Sequence, residues 1–231
     1  MTGFLIQSRG ARMAERADRI LDAAGELILR HGYRKVTVED VAKRAGVGKG
    51  TVYLHWRTKD EVFEALLLRE SIEVVEEFAA LLRRDPGQAR PHLFARASFL
   101  AVIRRPLLRA LFTTDTELLG KLAHHPLRSH DLHATDRFQA VADRYALLRA
   151  DMPHPRYTMA AASTGFYVLD GLDTSGSELD DEAKADALAF TVRHAFEPAE
   201  EPDPATLAAA AAEYVAIFEE LIPPYRKWIY D

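Results

Sequence analysis

The 231-residue sequence contains no cysteine, and this absence excludes several kinds of site. A chain without thiols has no disulfide framework, no thiolate metal site and no cysteine nucleophile, which fits the reducing cytoplasm. It also lacks any stretch near the ~20 apolar residues that span a bilayer. In its opening segment, MTGFLIQSRGARM, the arginines follow the short apolar run, whereas a signal peptide has its charges first. We therefore expect a cytoplasmic protein without a membrane partner.

Acidic residues are scarce near the start of the chain only. Residues 1–60 carry 12 Lys/Arg against 7 Asp/Glu, whereas the remaining residues carry 18 against 28, and the whole chain has a net charge of −5. A basic segment attached to an acidic body predicts a polyanionic partner for that segment alone. Charge by itself does not identify the partner, because surface charges also cluster by chance.

Apolar residues recur at steps of three and four almost everywhere, which predicts an all-α fold. The first helix should run from Ala14 to His31, and a second, short helix should begin after the N-cap Thr37 and end at Gly46. A third should open near Lys49, with Val52 and Trp56 in the core. Proline, glycine and aspartate then separate further predicted helices at 60–83, 91–104, 106–112, 115–123, 134–150, 155–173, 180–196 and 204–221.

The stretch AGVGKGTVYLHW, residues 45–56, has the glycines and lysine of a nucleotide-binding loop but not the spacing. A P-loop would need glycine at Lys43 and Ser or Thr at Gly50, and a dinucleotide fingerprint would need glycine at Thr51. Two short helices joined by a glycine turn remain. We interpret them as a helix-turn-helix within a three-helix N-terminal head.

The segment ILDAAGELILRHGYRKVTVEDVAKRAGVGKGTVYLHWRTKDEVFEALL, residues 20–67, resembles the DNA-binding head of the TetR family of bacterial regulators. The elements that match in order and spacing are His31-Gly32-Tyr33, Thr37-Val38, residues 41–47, Gly50-Thr51-Val52-Tyr53, Trp56 and Thr58-Lys59-Asp60-Glu61 before Phe63. The resemblance implies a DNA-binding domain at residues 1–60 and a helical bundle for effector binding and dimerisation at residues 61–231. It also implies a repressor without enzymatic activity or cofactor, which binds palindromic double-stranded operator DNA as a homodimer and is released by a small molecule.

The expected DNA contacts lie around the third helix. Lys49 offers a charge to phosphate beside the free amides of the helix N-terminus, while Thr51 and Leu54 could contact bases in the major groove. Tyr53 could instead pack against the head, and Lys59 could be a helix cap. With the family positions carried over, the expected set is Thr37, Lys49, Gly50, Thr51, Tyr53, Leu54, His55 and Lys59. A group outside this set could reach the duplex or form a solvated face: Arg9, Arg12, Arg16 and Arg19.

The C-terminal region should enclose an effector site. Segment 91–104 is apolar on two sides, which is typical of a helix inside a bundle. Aromatic residues on facing helices could be ordinary core, but the family resemblance favours a cavity for a largely apolar effector. Asp170 could anchor a polar group of that effector or face solvent. The expected pocket set is Phe99, Phe112, Tyr145, Tyr167 and Asp170.

Two further features leave alternatives open. A small-residue run on helix 155–173 and an apolar stripe on helix 180–196 predict a four-helix dimer interface, with helix 204–221 as the alternative. The expected interface set is Ala161, Gly165, Leu188, Val192 and Phe196. The alternative function, a metal-binding protein or metal-dependent enzyme, rests on the segment HHPLRSHDLHATD. This segment contains His124, His125, His130, His133 and Asp136, but its Pro126 and Ser129 predict a loop.

Overall fold

The computed structural model describes the backbone of residues 2–113, 128–172 and 178–231, and the side chains of residues 11–109, 134–169 and 178–231. Every regular element in these ranges is helical, which confirms the all-α prediction. Among the described residues, no helix combines the length and apolar character that a bilayer crossing requires. The α-helices are α1 (Thr2–His31), α2 (Val38–Ala45), α3 (Lys49–His55), α4 (Lys59–Arg84), α5 (Pro91–Ile103), α6 (Pro106–Thr113), α7 (Arg128–Arg144), α8 (Pro155–Leu172), α9 (Asp181–Phe196) and α10 (Pro204–Tyr230).

The chain folds as two compact units. The first, which we call the head unit, consists of Met1–Ile72 together with Pro223–Asp231, and the second, the body unit, consists of Glu73–Ile222. These units are defined by packing alone. The boundary at residue 60 between a DNA-binding and an effector-binding domain stays a prediction. Nothing in the sequence pattern indicated that the end of the chain joins the head unit.

The core of the head unit is built from the apolar faces of α1 to α4. Ile20 and Leu21 of α1, Val41 of α2 and Phe63 of α4 are buried, and so are Val52 and Trp56, as the sequence predicted. On the surface, the guanidinium of Arg44 on α2 donates two hydrogen bonds to the Glu26 carboxylate on α1, at 2.8 and 2.5 Å. This ion pair joins α2 to α1.

The body unit has two apolar cores, and α5 contributes to both. Phe94, Ala97 and Ala101 face the first core, while Phe99 and Ile103 face the second. The two-sided apolar pattern of this segment therefore predicted its position inside the bundle correctly. The first core contains a cluster of five aromatic rings whose neighbouring centroids lie 4.8 to 6.3 Å apart. These rings, which we call the aromatic cluster, are Phe78, Phe94, Phe138, Tyr214 and Phe218.

Three helices have bounds that differ from the prediction. Helix α1 begins at Thr2 rather than Ala14, and α7 spans Arg128–Arg144 rather than 134–150. Helix α10 runs to Tyr230 and contains Pro223 and Pro224, where the sequence predicted an end at residue 221. In this last case the burial of the C-terminal apolar residues outweighs the local preference of proline. The predicted helix 115–123 lies outside the described residues.

Candidate functional site

The turn between α2 and α3 is fixed by caps on both sides. At the start of α2, the Thr37 hydroxyl accepts a hydrogen bond from the Asp40 amide, and the Asp40 carboxylate accepts one from the Thr37 amide. This is the capping box that the sequence predicted. At the end of α2, Gly46 has φ 66°, a conformation that side chains disfavour, and the Val47 amide bonds to the Ala42 carbonyl at 3.0 Å. The turn therefore fixes the direction of α3 relative to α2.

Helix α3 presents an exposed face opposite its buried residue Val52. Lys49, Gly50, Tyr53 and Leu54 are exposed, and Leu54 is 80% accessible. A large apolar side chain that is four-fifths exposed contributes little to the stability of its own fold. The structure thus brings most of the predicted DNA-contact residues to one accessible surface, with Thr51 partly exposed at its edge.

The charged and polar groups at the two ends of this face differ in character. At its start, the Lys49 ammonium lies 3.5 Å from the Glu39 carboxylate in a surface pair that contributes little, so a phosphate could replace the carboxylate. At its end, burial first, and then the charge of Arg16, lower the pKa of His55. This lowering of the pKa favours the neutral imidazole, which offers a hydrogen bond rather than a charge.

Lys59 has contacts within the head unit that the sequence did not predict. Its ammonium donates to the Tyr33 carbonyl at 2.6 Å and lies 4.1 Å from the centroid of the Tyr33 ring. The Tyr33 hydroxyl in turn donates to Asp60. Thr58, rather than Lys59, caps α4, because its hydroxyl accepts from the Glu61 amide at 3.1 Å. Lys59 thus joins the turn before α2 to the start of α4, and Thr37 is likewise engaged in its cap.

The body unit contains a cavity of about 260 Å³ beside the aromatic cluster. Its wall is mostly apolar and comes from helices α5, α7, α8, α9 and α10, with Ala89 from the turn before α5 and Leu148 from the segment after α7. Ser98, Ser163 and the phenol groups of two tyrosines supply the polar atoms. The residues that line it are Ala89, Pro91, Phe94, Ala95, Ser98, Phe138, Ala142, Leu148, Met159, Ser163, Tyr167, Leu188 and Tyr214.

The predicted pocket residues fall in different places. Tyr167 lines the cavity, and Phe99 is buried behind it with its ring centroid 5.2 Å from that of Tyr167. Tyr145 lies elsewhere, because its hydroxyl donates to the Glu213 carboxylate at 2.7 Å. The side chains of Phe112 and Asp170 lie outside the described residues. Tyr214 is also part of the wall. It lies on helix 204–221, the alternative dimer interface of the sequence analysis, and carried no signal that separated it from ordinary core.

None of the residues that line the cavity has a charged side chain. Desolvation raises the pKa of Tyr167 to about 12 and also raises the pKa of Tyr214, so both phenols stay neutral at pH 7. The hydroxyls of Ser98 and Ser163 add two uncharged polar groups to the lining. The cavity therefore suits an uncharged molecule that is mostly apolar and carries a group able to bond to a hydroxyl.

The predicted dimer residues divide between surface and core. Ala161 and Gly165 are exposed on α8. Leu188, Val192 and Phe196 are almost fully buried on α9, where they pack in the second core with Phe99 and Ile103 of α5. These three residues therefore belong to the core of their own chain and not to a dimer interface, because the apolar stripe on α9 packs against α5. A large apolar residue on the opposite face of α9, Phe190, is 67% exposed.

The metal-site hypothesis receives no support from the described residues, which contain no group of three or more His, Asp or Glu able to hold a metal ion. Asp136 forms an ion pair with Arg156. The segment from Arg128 onward is helical rather than a loop, so His130 and His133 lie one turn apart on α7. The side chains of these two residues, and His124 and His125, lie outside the described residues.

The similarity of this chain to known sequences is strongest in its N-terminal head. Residues 20–66 match the family model described as bacterial regulatory proteins, tetR family. The chain is 36% identical over 58 residues to the fatty acid metabolism regulator protein of Bacillus subtilis (strain 168), a match that covers 25% of this chain and 30% of that protein. With two further B. subtilis regulators the matches cover 28% and 35% of their length, so the similarity spans about a third of these relatives.

Longer but weaker similarity extends into the body. The chain is 26% identical over 166 residues to the transcriptional regulator TtgR of Pseudomonas putida, covering 67% of this chain and 76% of that protein. Among solved structures, the SmeT–triclosan complex aligns with a TM-score of 0.58 at 21% identity, covering 82% of this chain and 99% of that one. The fatty acid degradation regulator FadR from Bacillus halodurans aligns with a TM-score of 0.57 at 19% identity, covering 77% and 98%. These structures share the fold.

Proposed function

We propose that the chain, whose residues 20–66 match the model of the tetR family of bacterial regulatory proteins, is a ligand-responsive transcriptional regulator that binds operator DNA through α3. The observation that carries this proposal is the exposed face of α3 with Lys49, Tyr53 and Leu54. The turn before it is fixed by α2, which is capped by Thr37 and ends at Gly46. The regulator acts as a repressor and as a homodimer on a palindromic site.

The chemistry of this face matches the requirements of a duplex. An α-helix fits the major groove, the Lys49 ammonium and the amides at the start of α3 suit a phosphate, and Leu54 can contact a thymine methyl group. Phosphate contacts set affinity for any sequence, while base contacts set the preference among sequences. Lys49 should therefore act on all duplexes alike, and Leu54 should act on sequence preference.

The experiment compares Lys49→Ala with Arg84→Ala on the intergenic DNA upstream of the protein's own gene. Arg84 is an exposed residue of the body unit, so its replacement changes the net charge equally without touching α3. Affinity measured by gel shift at several salt concentrations should fall for Lys49→Ala, and the slope of log K against log salt should decrease by about one unit. Arg84→Ala should bind as the wild type does. Equal behaviour of the two variants would rule out the phosphate contact.

The cavity in the body unit is the proposed effector site. Its size, its apolar wall and its neutral phenols favour an uncharged, largely apolar effector. Binding would shift the population toward a conformation with lower affinity for the operator.

A test of the site fills the cavity and measures binding of the neutral fluorescent probe N-phenylnaphthylamine. Ala95→Phe places a ring in the cavity from α5 and should abolish the fluorescence increase, whereas Ala208→Phe adds the same ring to an exposed position of α10 and should leave it unchanged. Retained probe binding in a folded Ala95→Phe protein would place the effector elsewhere.

A further inference from the structure

The last nine residues of the chain belong to the head unit rather than to the bundle in which their helix begins. Helix α10 starts at Pro204 and ends at Tyr230, and its residues up to Ile222 lie in the body unit. Beyond that boundary, Tyr225 and Ile229 are buried, with 4% and 2% of their surface accessible. The chain therefore enters the head unit twice, through its N-terminal helices and again at its C-terminus.

A polar contact fixes the position of this segment on α1. The Tyr230 hydroxyl donates to the Asp18 carboxylate at 2.7 Å. Arg69 of α4 reaches the same region of α1, because its guanidinium lies 2.7 Å from the Asp22 carboxylate and donates to the Asp18 carbonyl at 3.3 Å. Asp18 is thus the point where α1, α4 and the chain end meet, and hydrogen bonds to ionised groups are the stronger kind.

The helix that carries this segment is weakened where it enters the head unit. Pro223 and Pro224 lie inside α10 at the boundary, and neither can donate the backbone hydrogen bond that a helix residue normally makes. A helix continues through two adjacent prolines only when tertiary contacts beyond them compensate. The buried residues Tyr225 and Ile229 supply such contacts within the head unit.

The region of α1 that the segment contacts lies next to the recognition helix. Arg16, two residues before Asp18, is close enough to His55 at the end of α3 to contribute to the lowered pKa of that imidazole. Further along α1, Glu26 holds α2 through Arg44. A displacement of α1 would therefore reach both helices of the helix-turn-helix.

We propose that residues 223–231 form a C-terminal brace that holds α1 in the position the head requires for DNA, with Tyr230 as a positioning residue acting through Asp18. The effect on DNA binding rests on the proposed function, whereas the effect on the stability of the head unit does not. A molecule that binds residues 223–231, or a protease that removes them, would lower the affinity of the head unit for DNA.

The two tryptophans of the chain allow a direct test, because Trp56 and Trp228 both lie in the head unit. In a Trp228→Phe background, the fluorescence of Trp56 alone reports unfolding of the head. Tyr230→Phe keeps the ring and removes only the hydroxyl, and it should lower this midpoint by about 4–8 °C. Tyr145→Phe removes a matching tyrosine–carboxylate bond in the body unit and should not change it.

The second measurement is DNA affinity at 10 °C, far below the unfolding midpoint. If the brace positions α1, Tyr230→Phe lowers affinity by about threefold and a chain ending at Ile222 by about tenfold or more, because a smaller fraction of heads is competent. The salt slope should not change, since no phosphate contact is lost.

Three outcomes would overturn the inference. An unchanged Trp56 midpoint in Tyr230→Phe would show that the segment does not brace the head. A lowered midpoint with wild-type affinity at 10 °C would show that it stabilises the head without positioning it. A chain ending at Ile222 that binds DNA fully at 10 °C would show that the segment does not position α1. If the wild type fails to bind DNA, the proposed function fails, while the fluorescence result still tests the brace.

Discussion

At the scale of single residues, Glu64 is a partly buried carboxyl group of the head unit. Burial raises its pKa to about 7, and repulsion from Asp60 and Glu61 acts in the same direction. A carboxyl whose pKa is higher in the folded than in the unfolded state favours folding when it is protonated. Its contribution is therefore present in full below about pH 4.5 and is lost as the pH rises toward 7.

Glu64→Gln should therefore raise the stability of the head at pH 8 and change it little at pH 5. The amide keeps the size of the side chain and has no charge to bury. The measurement is the Trp56 fluorescence midpoint of both proteins, in the Trp228→Phe background, from pH 5 to pH 8. Parallel profiles for the two proteins would show that Glu64 ionises as an ordinary surface carboxyl.

At the scale of helices, the sequence predicted boundaries well where proline or aspartate marks them. Helices α5, α6 and α8 begin at Pro91, Pro106 and Pro155, and α9 begins after the N-cap Asp180, all within one residue of the prediction. Burial, which the local sequence does not encode, decided the others. The continuation of α10 past Pro223 depends on Tyr225 and Ile229 reaching the head core.

The same limit explains which site residues were predictable. The exposed face of α3 followed from a motif whose residues are contiguous, so its members could be named from the sequence. The cavity is lined by five helices, and its members depend on how those helices pack. Phe138 and Tyr145 are seven residues apart and would share a face of a continuous helix, but α7 ends at Arg144. Tyr145 therefore turns to Glu213, while Phe138 lines the cavity.

The end of α7 contains a residue in an unfavourable conformation. Ala146 has φ 49°, the left-handed region that favours glycine, while the Leu147 amide bonds to the Ala142 carbonyl at 2.8 Å and the Leu147 side chain is fully buried. The burial of Leu147 and this hydrogen bond offset the strain at Ala146.

Ala146→Gly should stabilise the protein by about 1 kcal/mol, because glycine adopts this conformation without the steric penalty. Ala140→Gly, on an exposed position of the same helix, is the matched control and should destabilise it by about 1 kcal/mol. Thermal unfolding followed by circular dichroism measures both. A lower midpoint for Ala146→Gly would show that this turn is not strained.

At the scale of the whole molecule, the inner and outer faces of α9 have different surroundings. One face packs into the body core through Leu188, Val192 and Phe196, and the other exposes Phe190, whose ring lies 4.3 Å from that of His194. Phe190 on α9 and the small residues Ala161 and Gly165 on α8 are all exposed, so they are accessible to a second copy of the chain. We therefore propose the outer faces of α8 and α9 as the homodimer interface.

Phe190→Glu should convert the dimer to a monomer that remains folded, because it places a charge in the interface without changing the core. Sedimentation measures the mass, and circular dichroism measures the helix content. Ala208→Glu adds the same charge to an exposed position of α10 and should stay dimeric. Leu188→Glu should instead unfold the body unit, since it buries a charge. A dimeric Phe190→Glu protein would place the interface elsewhere.

The aromatic cluster should produce ring-current shifts in the proton spectrum of any molecule that binds in the cavity. Phe94, Phe138 and Tyr214 belong both to the cluster and to the cavity wall, so their ring currents act on any proton inside it. A bound molecule should show resonances displaced from their positions in water. Protons of methyl groups beside the rings should shift in turn as the molecule enters. A one-dimensional proton spectrum of the unlabelled protein can therefore screen candidate effectors without a reporter gene, a dye or a known operator.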